Sequence, residues 1–311
     1  MNTLQSLIEQ QITLENPDAL NILVTDLLAN HPSTVSAILF YGSCLRSLDL
    51  YDGLADLYLI VDDYSDFHSS RQQAWSNWLL PPNVFYFESI DQQQNIIRAK
   101  YAVISRKDFT KGTSRHWFHS YLWGRFTQPV ALAYARDKTS REEIIHCLSN
   151  AIITFLDRCL PAIPTSGSLT DLWVHSLRLS YRAELRAESS GRASVLVDSR
   201  QEYYKTVTIA AAGELKVKLS INGESYVTTL THRRRYLSRL SWALRIFQGK
   251  ILSVCRLLKA LFTFQGGLDY IAWKLERHSG QKIDIPKRVR RYPLLFIWGL
   301  FWKLYRRGVF R

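Results

Sequence analysis

No stretch of this sequence is apolar for the ~20 residues that a helix needs to cross a bilayer; the run from Tyr292 to Trp302 is eleven residues long. The four cysteines, Cys44, Cys147, Cys159 and Cys255, form no CxxC spacing and no paired framework, which argues against a disulfide scaffold and for a reducing compartment. Met1 to Leu14 carries Glu9 and no basic segment ahead of an apolar one. Neither a secretory signal nor an Arg-rich transit peptide is read there, and the protein is expected to stay where it is made. Low-complexity tracts are absent too, and 47% hydrophobic with 22% charged residues implies an ordered chain.

Acidic residues are scarce at one end only. Residues 231–311 hold nineteen Lys/Arg against three Asp/Glu, whereas residues 1–230 hold twenty-one against twenty-four. The net charge of +13 therefore belongs to the C-terminal quarter, and such an asymmetry points to a polyanionic partner, nucleic acid or an anionic lipid surface.

Periodicity and turn residues predict the elements. Helices are expected at Leu4–Ile12 and Pro17–Ala29, the second capped by Asn16 with Pro17 at its first position. Val35–Phe40 and Leu54–Val61 read as strands around a polar turn at Gly42-Ser43 and Asp52-Gly53. Asp66 is expected to cap a helix to Leu80, ended by Pro81-Pro82, with strands at Val84–Phe87 and Ile96–Ile104. Thr139 and Glu142 form a capping-box pattern for a helix to Leu160. Pro161 to Ser168 reads as a linker, followed by helices at Leu169–Tyr181 and Arg200–Ala212 and a hairpin around Asn222-Gly223. Tyr236–Phe264 reads as a basic amphipathic helix, and the 292–302 run, bracketed by Lys287, Arg288, Arg290, Arg291 and Lys303, Arg306, Arg307, as an interfacial anchor.

The chemistry-bearing pattern is Phe40-Tyr-Gly-Ser43 at a strand end, with Asp56 opening the next strand. That layout resembles nucleotidyltransferase-fold enzymes. A glycine lets backbone approach a triphosphate, Ser43 and nearby N–H groups hold its oxygens, and a strand carboxylate holds Mg²⁺. The position two residues on, where such enzymes usually carry a second carboxylate, is Tyr58. Asp62 shares its face by parity but lies about 20 Å along an extended strand, and Asp62-Asp63 reads as a strand-end turn. His116 and His119 have a metal-like spacing but no further ligands nearby in sequence.

Several motifs in order extend the likeness: Tyr41-Gly-Ser43; Asp56 with Val61-Asp-Asp63 and His68; Lys100 to Ser105; Gly124-Arg125 with Pro129-Val130; Leu179-Ser-Tyr181 with Glu184 and Arg186; the Asn222-Gly223 hairpin; and Phe262 to Gly267 with Tyr270 and Lys274. Together, over most of residues 35–280, the chain resembles the mitochondrial-type phosphatidate cytidylyltransferase (CDP-diacylglycerol synthase) family. It departs from it at Pro81-Pro-Asn-Val84, where the family tends to a glycine-containing turn. The family has a single aspartate at that strand start, which matches Tyr58 here, and the lack of a transit peptide suggests a bacterial relative. The resemblance implies CTP and phosphatidic acid as substrates and Mg²⁺ or another divalent metal held by Asp56. It implies Lys100 and Arg125 at the phosphates and Gly42, Ser43, Glu184 and Arg186 around the nucleotide. Another reading pairs Glu184 with Arg186 at a helix end.

The expected fold class is α+β. It comprises a nucleotidyltransferase-fold α/β domain over residues 1–138, a mostly helical winged-helix-like domain over 139–231, and a basic amphipathic membrane-associating region over 232–311. The expected function is CDP-diacylglycerol synthesis with release of pyrophosphate, peripheral on the cytoplasmic face of a bacterial inner membrane, with anionic lipid rather than nucleic acid as the macroscopic partner. The alternatives are a nucleotidyltransferase with another phosphate or hydroxyl acceptor, and a nonenzymatic basic nucleic-acid-binding module.

Overall fold

Val35–Tyr41 and Ala55–Val61 are apolar at successive positions rather than alternate ones, the pattern of strands covered on both faces. In the computed structural model, which describes residues 3–13, 16–185, 191–263, 285–291, 299 and 302, they are the neighbouring strands β1 and β2 of a five-stranded sheet. The other strands are β3 (Asn83–Ile90), β4 (Ile96–Ser105) and β5 (Ala131–Ala135), in the order β3-β4-β2-β1-β5. β2 and β4 run parallel and the remaining pairs antiparallel. One sheet face, with Ile38, Phe40, Leu57 and Leu59, packs on α2 (Asp18–Asn30) through Leu20, Leu23 and Leu27. The other, with Leu39, Tyr58, Ile60 and Ile104, packs on α1 (Thr3–Ile12) and on the long helix Lys138–Cys159. Full burial of each Leu, Ile or Phe contributes roughly 1.5–3 kcal/mol, so a charge at Leu39 or Leu59 on either side would disrupt the sheet.

Short helices join the strands: α3 (Ser43–Ser47) between β1 and β2, then α4 (Tyr64–Phe67) and α5 (Arg71–Leu79) before β3, and α6 (Arg106–Thr113) after β4. The long helix is α7, followed by β6 (Ser166–Ser168), α8 (Leu169–Arg182), α9 (Arg192–Asp198) and α10 (Gln201–Ala211). β7 (Leu219–Asn222) and β8 (Ser225–Thr228) form a hairpin, and the order β6-β8-β7 makes a second sheet. Gly223 takes φ +60° at the turn, as a tight hairpin requires. Helix α11 (His232–Thr263) and the short α12 (Lys287–Arg291) follow. The hydrophobic cluster on the α7 side runs from Leu4 to Tyr226 and Trp242, crossing both expected boundaries, at 138 and at 231. Among the described residues no helix is long and apolar enough to cross a membrane.

Several local expectations are corrected. Asn16 does not cap α2; Pro17 occupies that position, and the Asn16 amide donates to the Ala133 carbonyl at 2.9 Å, tying the helix entry to β5. The single helix expected from Asp66 is two helices, because Asp63 caps α4 by accepting from the Ser65 N–H at 2.8 Å and α5 begins only at Arg71. Asp137, not Thr139, caps α7, accepting from the Ser140 N–H at 2.7 Å. The expected linker carries β6, pinned to β8 and by the Tyr226 hydroxyl donating to the Pro164 carbonyl at 2.8 Å. Helices α6 and α9 and strand β5 were not expected as such. The Tyr292–Trp302 run, apart from 299 and 302, and the motif from 264 through Tyr270 and Lys274 lie outside the described residues.

Candidate functional site

Strand register sets the site. Tyr41 at the end of β1 stands opposite Asp56 on β2, and Asp56 stands beside Lys100 on β4. Three residues more than forty positions apart in sequence at their extremes thus form one row across the central strands. The Lys100 Nζ lies 3.1 Å from Asp56 Oδ1, and both side chains reach solvent, at 34% and 23% exposure. The chain leaves β1 through Gly42 at φ +89°; a Cβ there would meet Asp56 Oδ2 at 2.6 Å. Both the backbone angle and the space require glycine, so the Gly42-Ser43 backbone runs directly over the aspartate.

Above this row lies a cavity of about 600 Å³, of a size that accepts a nucleotide-scale ligand. Its lining draws on Tyr41, Gly42, Ser43, Leu45 and Arg46 with Asp56 and Lys100, on Arg125 and Gln128 to Val130, on the end of α8 with Glu184 and Leu185, on α9 and α10, and on Leu257 of α11. Among the described residues five lining side chains are cationic, Arg46, Lys100, Arg125, Arg192 and Arg200, against the carboxylates Asp56 and Glu184. A cavity with that balance favours a ligand carrying several negative charges.

Arg125 is the most enclosed of the five. Its guanidinium lies 4.9 Å from the Tyr121 ring centroid and 5.7 Å from that of Tyr41, and Glu184 Oε2 is 3.4 Å from Nη2. The Nη1 group reaches the Tyr41 hydroxyl at 3.4 Å, a long contact, and Nε is buried without a hydrogen-bond partner among the described residues. Gly124 explains how Glu184 arrives: a Cβ there would strike Ser180 Oγ at 2.2 Å and the Ser120 carbonyl at 2.6 Å, so only glycine lets α8 pack this closely. Burial pushes the Tyr41 hydroxyl up to about 12 and raises that of Tyr58 well above the usual tyrosine value, so both stay protonated at neutral pH. Tyr58, where a second carboxylate was considered, is fully buried, edge-on to Phe126 and with its hydroxyl 3.4 Å from that of Tyr121.

Of the site residues expected from sequence, Gly42, Ser43, Asp56, Lys100, Arg125 and Glu184 all line this cavity; Arg186 lies outside the described residues. Glu184 pairs with Arg125, a contact that the alternative pairing with Arg186 did not anticipate. Asp62 is committed elsewhere, accepting from Arg136 at 2.5 Å and from Arg106 at 3.2 Å, which lowers its pKa. His119 accepts a 2.6 Å bond from the Trp117 indole, and among the described residues no group of three or more His, Cys, Asp or Glu is gathered for a metal. Sequence reasoning missed Arg46, Arg192 and Arg200. Arg46 falls three residues beyond Ser43 on α3, a signal that was readable; Arg192 is brought in by the unanticipated α9, and Arg200 stands at the start of the expected helix α10. No protein-family model matches this chain, and no curated protein matches it by sequence.

Proposed function

We propose that the chain is a phosphatidate cytidylyltransferase, joining CTP to phosphatidic acid to give CDP-diacylglycerol and pyrophosphate. In this reading the five-stranded sheet with its β1–α3–β2 corner is a nucleotidyltransferase-type unit. The helices α7 to α10 with the β6-β8-β7 sheet, over residues 139–231, are a winged-helix-like one. The protein works as a peripheral enzyme on the cytoplasmic face of a bacterial inner membrane. The observation that carries the reading is the row Tyr41–Asp56–Lys100 beneath a glycine that admits no side chain, opening into a cavity with five cations. Those are the parts that displacement at a triphosphate needs: charge neutralisation, close backbone approach and one carboxylate.

In the reaction, a phosphate oxygen of phosphatidic acid attacks the α-phosphorus of CTP. The bond from that phosphorus to the bridging oxygen breaks, and pyrophosphate leaves with the electron pair. The attacking phosphate is already ionised and needs no strong general base, so positioning and electrostatics carry the rate. Lys100 and Arg125 neutralise phosphate oxygens, Arg125 through a planar fork held by the rings of Tyr41 and Tyr121. The Gly42-Ser43 backbone and the Ser43 hydroxyl hold the triphosphate beside Asp56, and Glu184 keeps Arg125 oriented.

The donor set fits a magnesium ion that comes with a nucleotide, since such ions take one or two carboxylates and complete their shell with phosphate oxygens and water. In this reading Asp56 is the carboxylate that would hold it; its Oδ2 faces the Gly42 corner. The ion's contribution would be to offset charge on the phosphates during displacement. The deciding experiment incubates labelled CTP with phosphatidic acid in vesicles and Mg²⁺. A labelled CDP-lipid with stoichiometric pyrophosphate is expected; label moving to another acceptor, or no nucleotidyl transfer at all, would overturn the reading.

A further inference from the structure

Helix α11 exposes large apolar side chains along its outer side. Leu237, Leu240, Leu244 and Phe247 begin a series that Ile251, Val254 and Leu258 continue, each 46–68% exposed. The steps alternate three and four residues, so the series forms one stripe over about three heptads. The stripe cannot turn inward, because the opposite face is fixed. There Trp242 is buried and donates to the Arg158 carbonyl at 2.8 Å, and Arg245, fully buried, donates to the Phe118 carbonyl at 2.6 Å. Gly249 lies where a Cβ would meet the Ala183 carbonyl at 2.2 Å, and Lys259 donates to the Pro82 carbonyl at 2.9 Å.

Two neighbours extend this surface. Helix α5 exposes Trp75, Trp78 and Leu79 by 58–66%, at the spacing of a single helix face. It ends one residue before Leu80, whose carbonyl also accepts from Lys259. At the other edge Leu257, 62% exposed, lines the candidate site's cavity. The stripe therefore borders the cavity, and exposed tryptophans, residues enriched at membrane–water interfaces, stand beside it.

Charge chooses the occupant. Helix α11 contains no acidic residue, while Arg233, Arg234, Arg239 and Lys250 are exposed on it. In a second copy the residues flanking the stripe, among them Ser241, Gln248 and Lys250, offer no opposite charge, and pairing would bring cations together. An anionic lipid surface complements both the stripe and its cations. We infer that the outer face of α11, with the exposed face of α5, docks on an anionic bilayer, and that Leu257 marks where the bilayer meets the cavity mouth. The statement about the cavity mouth rests on the lipid-acceptor reading above; docking itself does not.

The test uses the full chain without nucleotide, floated with phosphatidylcholine vesicles with and without phosphatidylglycerol. The parent should float with the anionic vesicles and be released by salt. The triple variant Leu244→Ser/Phe247→Ser/Ile251→Ser, which alters only exposed side chains, should lose roughly tenfold or more of its partition with an unchanged melting curve. Should that variant fail to fold, Arg239→Glu/Lys250→Glu provides the second measurement and should lose binding to anionic vesicles. Cys255 is exposed on α11 and the other three cysteines are buried. An environment-sensitive dye on Cys255 should therefore shift to the blue with anionic vesicles alone. Docking is overturned if the parent does not float, if the triple variant floats as well as the parent, or if the parent is a dimer that this variant makes monomeric. A parent that docks through α11 yet makes no CDP-lipid refutes the catalytic reading only, whereas CDP-lipid synthesis with normal flotation of the variant refutes docking only.

Discussion

Asp56→Asn separates chemistry from stability most cleanly. The substitution keeps the side chain's volume against Gly42, where the clearance is already smaller than a Cβ needs, and removes one negative charge. The lost ion pair to Lys100 spans 3.1 Å between side chains that are 23% and 34% exposed. A pair so open to water contributes about 0–1 kcal/mol, so the melting temperature should fall by roughly a few degrees at most. Under the proposed function turnover should fall far more. Removing a preorganised charge from a site of developing phosphate charge costs roughly 3–4 kcal/mol, about 10²–10³ in rate. Parallel thermal melts and labelled CDP-lipid formation, at saturating CTP and Mg²⁺, give both numbers on one preparation. A folded Asp56→Asn enzyme with turnover within about threefold of the parent refutes the role given to Asp56. A collapse in stability with normal specific activity of the folded fraction would make it a structural residue.

Lys100→Ala and Arg125→Ala should both weaken use of the phosphate substrates, but only the second should lower stability, by about 1–3 kcal/mol. Arg125 is enclosed by two tyrosine rings and Glu184, whereas Lys100 faces the open cavity; urea melts beside substrate titrations check the contrast. Gly42→Ala should cost about 1–3 kcal/mol of backbone strain and displace Asp56, lowering turnover at least about tenfold. Gly223→Ala, at φ +60° with nothing within 4 Å, should cost stability without touching activity. Acid should unfold the protein partly through two imidazoles that burial holds neutral, His68 lowered to about 4 and His119 to about 3, the latter also beside Arg256 and Arg245. Below pH 6.5 the unfolded chain takes up protons that the folded one refuses, so stability falls from pH 6.5 down towards those values. His119→Gln should flatten that slope in melts recorded from pH 7 to 4.

The strands were legible because burial on both sheet faces leaves a direct mark, continuous apolar runs at Val35–Tyr41 and Ala55–Val61. Helix starts were less so. Asn16, Asp66 and Thr139 are all good capping residues, yet Pro17, Asp63 and Asp137 take the positions. Capping is decided by which oxygen reaches a free N–H after packing, and two candidates a few residues apart look alike in sequence. Strand β5 and helix α6 were hidden for a related reason: Ala131–Ala135 is short and alanine-rich, and Arg106–Thr113 is largely polar, so tertiary contact rather than propensity forms them.

The site was legible from the residues themselves where chemistry is local; where the topology makes it, only the family resemblance named the residues, and nothing in their spacing did. Gly42, Ser43 and Asp56 come from one strand–turn–strand corner, and their meeting is implied by the hairpin-like return of β1 into β2. Lys100 required the knowledge that β4 lies parallel to β2 in a register that sets it beside Asp56. Arg125 and Glu184 required two glycine contacts that no pattern announces: α8 approaches Arg125 because Gly124 has no Cβ, and α11 closes over Ala183 because Gly249 has none. The same approach that brings Glu184 to the cavity sets α11 against its edge, with the apolar stripe turned outward and Leu257 at the rim. A nucleotide-sized basic cavity and a basic-apolar helix face left exposed among the described residues are thus two consequences of one pair of close helix contacts. A change such as Gly249→Leu should accordingly disturb vesicle binding and CTP use together, where the stripe variant disturbs only the first.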